Sequence, residues 1–370
     1  MNRRGIERNY GCRVTENLTY HGLRVIVIQN EVIRISILID KGTDIFEFLY
    51  KPKDIDFMWR SPNGFRNLQR LLDTSNFYEG FMSSYHGGWQ EIFPSASGSS
   101  NYKGVETGYH GEVASLKWDY EVIIDTPEVV EVKFITRTMK TPFLLEKRIR
   151  LESNKPLVVI EERMGNLGKV PMAYMWGHHP SFGAPFLNEK CRLFLPECEI
   201  ITQPNEQTVS RFLPSQHFIW PFAVDRNGKK VDLRNIPSIN SNYSDMLYAR
   251  FKKDSWFALV NTDKRVGLGF VWQKEMFPYL WIWQEFGGTT GYPWYGNAYT
   301  MALEPFTSLP GNGENGLIEA INNGTVAYVS PKDEVRKEFK VVVFEECTDV
   351  RKIDISGEIA FDRELQEGCS

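Results

Sequence analysis

Cysteine is scarce in this 370-residue sequence: Cys12, Cys191, Cys198, Cys347 and Cys369 are all there is. Their number is odd and none stand in CxxC spacing, which argues against a disulfide framework or a zinc cluster and for reduced thiols. An excess of one charge is also missing, since 43 lysines and arginines stand against 47 aspartates and glutamates and the basic residues are spread along the chain. That leaves no electrostatic footprint for nucleic acid or an anionic membrane. No apolar run approaches a membrane span, and the basic start MNRRGIERNYGC is not followed by an apolar segment of signal-peptide length. Together these absences predict a soluble, cytoplasmic protein without nucleic-acid or membrane partners. Low-complexity runs, clear internal repeats and domain linkers are absent too, so residues 1–370 are expected to form one domain.

What is present is β-pattern. From Leu23 to Tyr50 two β-branched runs break at Gln29 to Glu31, the signal of a hairpin followed by a third strand. Beyond His110, the runs SLKWDYEVII, EVVEVKFITRTM, FLLEKRIRLES and LVVIEERMGN alternate apolar with polar residues between short breaks, as an antiparallel meander does. The pattern weakens from Phe194 to Ser244 and resumes at SWFALVN, VGLGFVW, PYLWIW, YTMALEP and KEFKVVVFEE. Helix is confined to short pieces, with LQRLLDT at Leu68–Thr74 the best candidate. With 42% hydrophobic residues to bury, a large all-β antiparallel sandwich is the economical fold.

Two stretches share a syntax that suits chemistry. In YMWGHHPSFGAPF, Tyr174–Phe186, His179 precedes Pro180, and in YTMALEP, Tyr299–Pro305, Glu304 precedes Pro305. A proline forces the residue before it out of helical geometry, so an imidazole and a carboxylate are each expected extended at a strand end. Brought to one cleft, they form an acid and base pair for moving protons on a small molecule. His178 and His179 are adjacent on a strand and must face opposite ways, so only one of them enters such a site, and the proline favours His179. The Gly- and aromatic-rich segment Gly80–Gly98 is expected to line the cleft, with Pro196–Ser244 and Gly287–Asn297 as further loops that choose the ligand.

Four pieces resemble, in order, the galactose mutarotase superfamily of aldose 1-epimerases and their relatives: GGWQEIFP (Gly87–Pro94), YHGEVASLKW (Tyr109–Trp118), GNLGKVPMAYMWGHHPSFG (Gly165–Gly183) and ALEPFTSLPG (Ala302–Gly311). Together they span nearly the whole chain. The resemblance implies a β-supersandwich that interconverts sugar anomers, with Glu304 as base, His179 as acid and His110 as a second active-site histidine. It also implies a carbohydrate substrate whose hydroxyls Asp245 bonds, with no metal and no cofactor; His86, Trp176 and Gln90 are further candidates for contacting it. In sugar-phosphate relatives an arginine follows the His-Gly element, where this chain has Ala114; Arg60, Arg66 or Arg70 would have to replace it.

Blander readings stand beside these. Most of the ten tryptophans fill core in a sandwich, although Trp89, Trp176, Trp281, Trp283 and Trp294 are candidates for stacking on a sugar ring. His86, His110, His179 and Glu304 are also a legitimate ligand set for a divalent metal in a carbohydrate isomerase or lyase. A sugar-binding protein without turnover is the third alternative.

Overall fold

Alternation in the sequence becomes alternation of burial once the strands pair: along Val129–Arg137 the even-numbered residues Val130, Val132, Phe134 and Thr136 are buried and their neighbours are not. The computed structural model describes residues 8–66, 77–310, 315–345 and 349–362. Two large antiparallel sheets hold most of them. The eight-stranded sheet runs Cys191–Phe194, Trp256–Asn261, Val266–Trp272, Glu334–Phe344, Leu157–Asn166, Phe143–Glu152, Val129–Arg137 and Asp119–Asp125, so the meander read from the sequence forms half of it.

The twelve-stranded sheet begins with Arg13–Tyr20, Leu23–Gln29, Ile33–Leu38 and Asp44–Tyr50, the last also pairing with Ile55–Asp56. It continues through Trp89–Ile92, Gly177–Phe182, Tyr299–Phe306, Tyr279–Phe286, Tyr243–Phe251, Cys198–Thr202 and His217–Ile219. Its first strand, Arg13–Tyr20, was not legible as one: RVTENLTY is polar, lies at the sheet edge and is interrupted by Asn17 at φ 63°.

One apolar core joins the two sheets. Phe93 meets Phe143 at 4.8 Å between ring centroids, and Trp89 meets Phe270 at 5.0 Å. This is an all-β sandwich, as the patterning predicts. Among the described residues, α-helix is limited to Phe77–Ser84 and Gly316–Asn322, and no helix is long and apolar enough to cross a membrane. The helix expected at Leu68–Thr74 lies outside the described residues.

The core also holds charges. Lys147 Nζ lies 2.9 Å from Glu91 Oε2, and Trp176 Nε1 donates to the other oxygen of Glu91 at 3.0 Å. Beside them, His178 Nε2 is 3.0 Å from Glu162 Oε2 while Trp89 Nε1 donates to His178 Nδ1 at 3.1 Å. Burial pushes the Glu162 carboxyl up to about 7 and the Lys337 ammonium down to about 7. Buried charges are tolerated only when paired, and deleting one partner strands the other. Lys147→Met is therefore expected to destabilise the fold by about 3–5 kcal/mol in urea titrations. Adding Glu91→Gln, which keeps an acceptor for Trp176, should recover most of that loss.

Candidate active site

The site is written across the central strands of the larger sheet. On Gly177–Phe182, strand alternation sends His178 inward to Glu162 and the sheet interface, and His179 to the opposite face. The neighbouring strand is in register at Gly177↔Phe306 and at Ser181↔Ala302, which puts Glu304 directly across from His179. Glu304 in turn faces Trp281, and Trp281 faces Tyr248. His179, Glu304, Trp281 and Tyr248 thus form one row over four strands, with His179 Nε2 3.5 Å from Glu304 Oε1.

Both residues were expected at strand ends, and this is corrected by the structure. Pro180 and Pro305 lie inside their strands. Each proline forfeits a hydrogen bond in the ladder between the two strands without ending either one, because each strand is also paired on its outer side.

The row forms the floor of a cavity of about 360 Å³. Its walls come from the three segments singled out in the sequence: Phe81, Met82 and Tyr85 from the first, Gln203, Pro204, Asn205 and Gln207 from the second, and Thr289, Pro293 and Trp294 from the third. Trp283, next to Trp281 on the same strand face, and Trp294 approach to 6.2 Å between centroids and make an aromatic side.

His110 also reaches the cavity, its ring 5.7 Å from that of His179. Its backbone is left-handed at φ 61°, followed by Gly111 at φ 80°. The missing side chain at Gly111 makes room for the chain itself: a Cβ there would stand 2.4 Å from the Phe93 carbonyl oxygen.

Burial governs the electrostatics. It drives Glu304 well above the ordinary carboxyl range and His179 down to about 4, and it drives His110 well below the usual imidazole value. Both members of the central pair are pushed toward neutrality. Desolvation thus works against the imidazolium and carboxylate form that the pairing alone suggests. Glu304 Oε2 is buried and has no hydrogen-bond partner among the described residues, which leaves it for a ligand.

Of four further candidates, three do not line the cavity. Trp176 is buried with its N–H on Glu91, in the core and off the cavity wall. Gln90 pairs across the strands with His179 and shares its face, but it does not line the cavity and donates to Asp44 and to the Gly87 carbonyl. His86 packs on Phe65 at 4.6 Å, 3.9 Å from Asp44, and does not line the cavity, so the metal ligand set that included it is not assembled. Asp245 does contribute to the cavity wall, but its oxygens are held by Ser210 Oγ, the Arg211 N–H and Arg211 Nε at 2.9, 2.8 and 2.5 Å. Alternation explains this, since Ser244 and Met246 take the cleft side of the strand and Asp245 the other.

Among the described residues no lysine or arginine lines the cavity. Ala114 is buried against Gly42, Arg60 pairs with Asp56, Arg66 is exposed, and Arg70 lies outside the described residues.

Sequence reasoning passed over Tyr85, Ser181 and Glu285. Ser181 was findable, two residues from His179 and so on its face of the strand. Tyr85 and Glu285 needed the fold. Glu285 accepts the Thr289 N–H at 3.0 Å and the Thr289 hydroxyl at 2.5 Å, anchoring the loop that carries Trp294.

Residues 20–343 match the model of a protein family described as a domain of unknown function, DUF4432. The chain belongs to that family. No curated protein matches it. Among solved structures, a candidate aldose 1-epimerase from Klebsiella pneumoniae aligns with a TM-score of 0.69 at 14% identity, covering 91% of this chain and 84% of the other. A galactose mutarotase related enzyme from Lactobacillus acidophilus gives 0.59 at 17% identity, covering 89% and 100%. A galactose mutarotase-like protein from Clostridium acetobutylicum gives 0.60 at 15%, covering 90% and 99%. This DUF4432 chain therefore has the galactose mutarotase-like fold.

Gly111 allows a test of how tightly the His110 turn is packed in the DUF4432 chain. Gly104 has nearly the same φ, 81°, but nothing lies within 4 Å of the point where a Cβ would stand. Gly104→Ala should cost about 1 kcal/mol for the backbone alone, and Gly111→Ala clearly more, about 2–4 kcal/mol, because the Phe93 carbonyl must move. Paired urea titrations would measure the difference, and equal costs would show that the turn yields freely.

Proposed function

We propose that this protein is an isomerase of the aldose 1-epimerase type, which interconverts the anomers of a sugar by opening and closing its ring. The observation that carries the proposal is the juxtaposition of His179 and Glu304 at 3.5 Å on the floor of an aromatic-walled cavity, with one carboxylate oxygen unpartnered. The galactose mutarotase-like fold supports it. Trp283 and Trp294 offer rings for the apolar face of a sugar, and a wall without lysine or arginine among the described residues suits an uncharged one.

Burial leaves the pair one proton to share and no net charge. In the empty cleft that proton rests on Glu304. Passing it to His179 creates a carboxylate and an imidazolium, which the hydroxyls of an entering sugar solvate. Glu304 then takes the proton of the anomeric hydroxyl while His179 Nε2 gives its proton to the ring oxygen. The C1–O bond to the ring oxygen breaks, and the anomeric oxygen becomes the carbonyl of an open-chain aldehyde. The pair is neutral again at this point. After rotation about the C1–C2 bond, the ring hydroxyl attacks the other face, returning its proton to His179 as Glu304 reprotonates the carbonyl oxygen. His110, kept neutral by burial, is placed to hydrogen-bond the sugar beside His179.

Anomer exchange followed by NMR against a panel of neutral aldoses and ketoses tests the reading. Glu304→Gln and His179→Asn should each lose about 10²–10⁴-fold, and the double variant should be little slower than either, because the two act in one relay. Sugar binding without accelerated exchange in the wild type would make the protein a binder and end the proposal.

The pH profile follows from the pair's shared proton. Activity should fall in acid when His179 keeps a proton while Glu304 is also protonated, and in base when the last proton leaves. With His179 at about 4 instead of the ordinary 6.5, the acid limb should lie well below pH 6. An acid limb near 6.5 would mean that the pair is solvated in the working enzyme.

A further inference from the structure

His178 and His179 are chain neighbours whose Nδ1 atoms meet opposite kinds of partner. Trp89 Nε1 points at Nδ1 of His178 from 3.1 Å. An indole N–H can only donate, so this Nδ1 must accept, and the ring proton sits on Nε2, facing Glu162. That arrangement excludes an imidazolium, which needs N–H at both nitrogens.

Nδ1 of His179 meets two hydroxyls instead: Ser181 Oγ at 3.1 Å and Tyr85 OH at 3.4 Å, themselves 2.7 Å apart. All three side chains are buried. A hydroxyl can accept, so an N–H at Nδ1 is allowed both when the ring is charged and when it is neutral. Resting on the mutarotase reading above, we propose that Ser181 and Tyr85 are positioning residues that hold a proton on His179 Nδ1, so that Nε2 alone exchanges the catalytic proton with Glu304 and the sugar.

The proton cycle requires this. An imidazolium that gives up its Nε2 proton to the ring oxygen is left with N–H at Nδ1 and a lone pair at Nε2, ready to take the proton back when the ring closes. If Nδ1 lost its partner, the neutral ring would be free to carry its proton on Nε2 and could not accept one there. The pairing of hydroxyls also builds in a reserve: with Ser181 removed, the Tyr85 hydroxyl is near enough to close on Nδ1. The other titratable groups facing the imidazole are Glu304 across the ladder and His110 from the loop above.

The test is long-range ¹H–¹⁵N NMR of the full chain labelled at histidine, which distinguishes the two neutral tautomers, combined with anomer-exchange kinetics. In the wild type at neutral pH, His179 should carry its proton on Nδ1 and His178 on Nε2, opposite tautomers in adjacent residues. Ser181→Ala and Tyr85→Phe should each cost only a few-fold in kcat. The double variant should lose on the order of 10²-fold in kcat, the low end of a general acid's contribution, with KM nearly unchanged and with the His179 proton moved to Nε2. A wild-type His179 with its proton on Nε2 would overturn the proposal, as would a folded double variant that keeps both rate and tautomer. If the wild type does not accelerate exchange with any sugar, the mutarotase reading fails, and the tautomers still report whether the hydroxyls hold the Nδ1 proton.

Discussion

Two prolines set opposite halves of one gap in the ladder between the central strands. Pro180 and Pro305 have no N–H to give, and the pairing between their strands lapses between Gly177↔Phe306 and Ser181↔Ala302 while the register continues unchanged. His179 and Glu304 sit in that gap, held extended by the ring that follows each of them. Their strands stay fixed from outside, by pairing to Trp89–Ile92 on one flank and Tyr279–Phe286 on the other. The site therefore rests on rigid elements of the sheet and does not depend on a loop for its two central groups.

The same strand divides two buried environments. On the inward face, His178 joins Glu162, Glu91, Lys147 and Lys337, each hydrogen-bonded through at least one atom to another side chain or to backbone. On the outward face, His179 and Glu304 border the cavity. Desolvation acts on both faces alike, raising Glu162 and Glu304 and lowering His178 and His179. What separates the two faces is the set of partners: the inward groups hydrogen-bond to one another and to core tryptophans, whereas His179 and Glu304 line the cavity, where a ligand can reach them.

The fold was legible because strand patterning is local. Alternation read along Val129–Arg137 or Leu157–Asn166 needs no knowledge of what lies across the sheet. The two histidines could be told apart for the same reason. Trp176 turns into the core, Gln90 shares the face of His179 without lining the cavity, and Asp245 reaches the cavity wall with its carboxylate already held, because the identity of a residue in a motif does not say what surrounds it. For Asp245, the period of two on YSDMLY places it away from Ser244 and Met246, and that was in the sequence to be read. Arg211, which holds its carboxylate, lies in the irregular stretch where no pattern exists. Tyr85 was beyond reach because its contact with Ser181 spans 96 residues and depends on the short helix turning back over the sheet.

Recognition and chemistry are supported differently here, and that bears on how the site can vary. His179 and Glu304 belong to the sheet, whose register fixes them opposite one another. The cavity walls belong to connections of unlike length and composition, and those can change without disturbing the ladder. The two are joined at Glu285, which lies two residues from Trp283 on the same strand and accepts from both the N–H and the hydroxyl of Thr289. Through it the loop bearing Trp294 is registered to the row that holds Glu304. A replacement of that loop that dropped Thr289 would leave a buried carboxylate without its donors, and a buried carboxylate without donors is costly. The aromatic wall is consequently the least exchangeable of the three, while Gln203, Pro204, Asn205 and Gln207 come from the irregular stretch between strands, where a change in the cavity wall costs the sheet least.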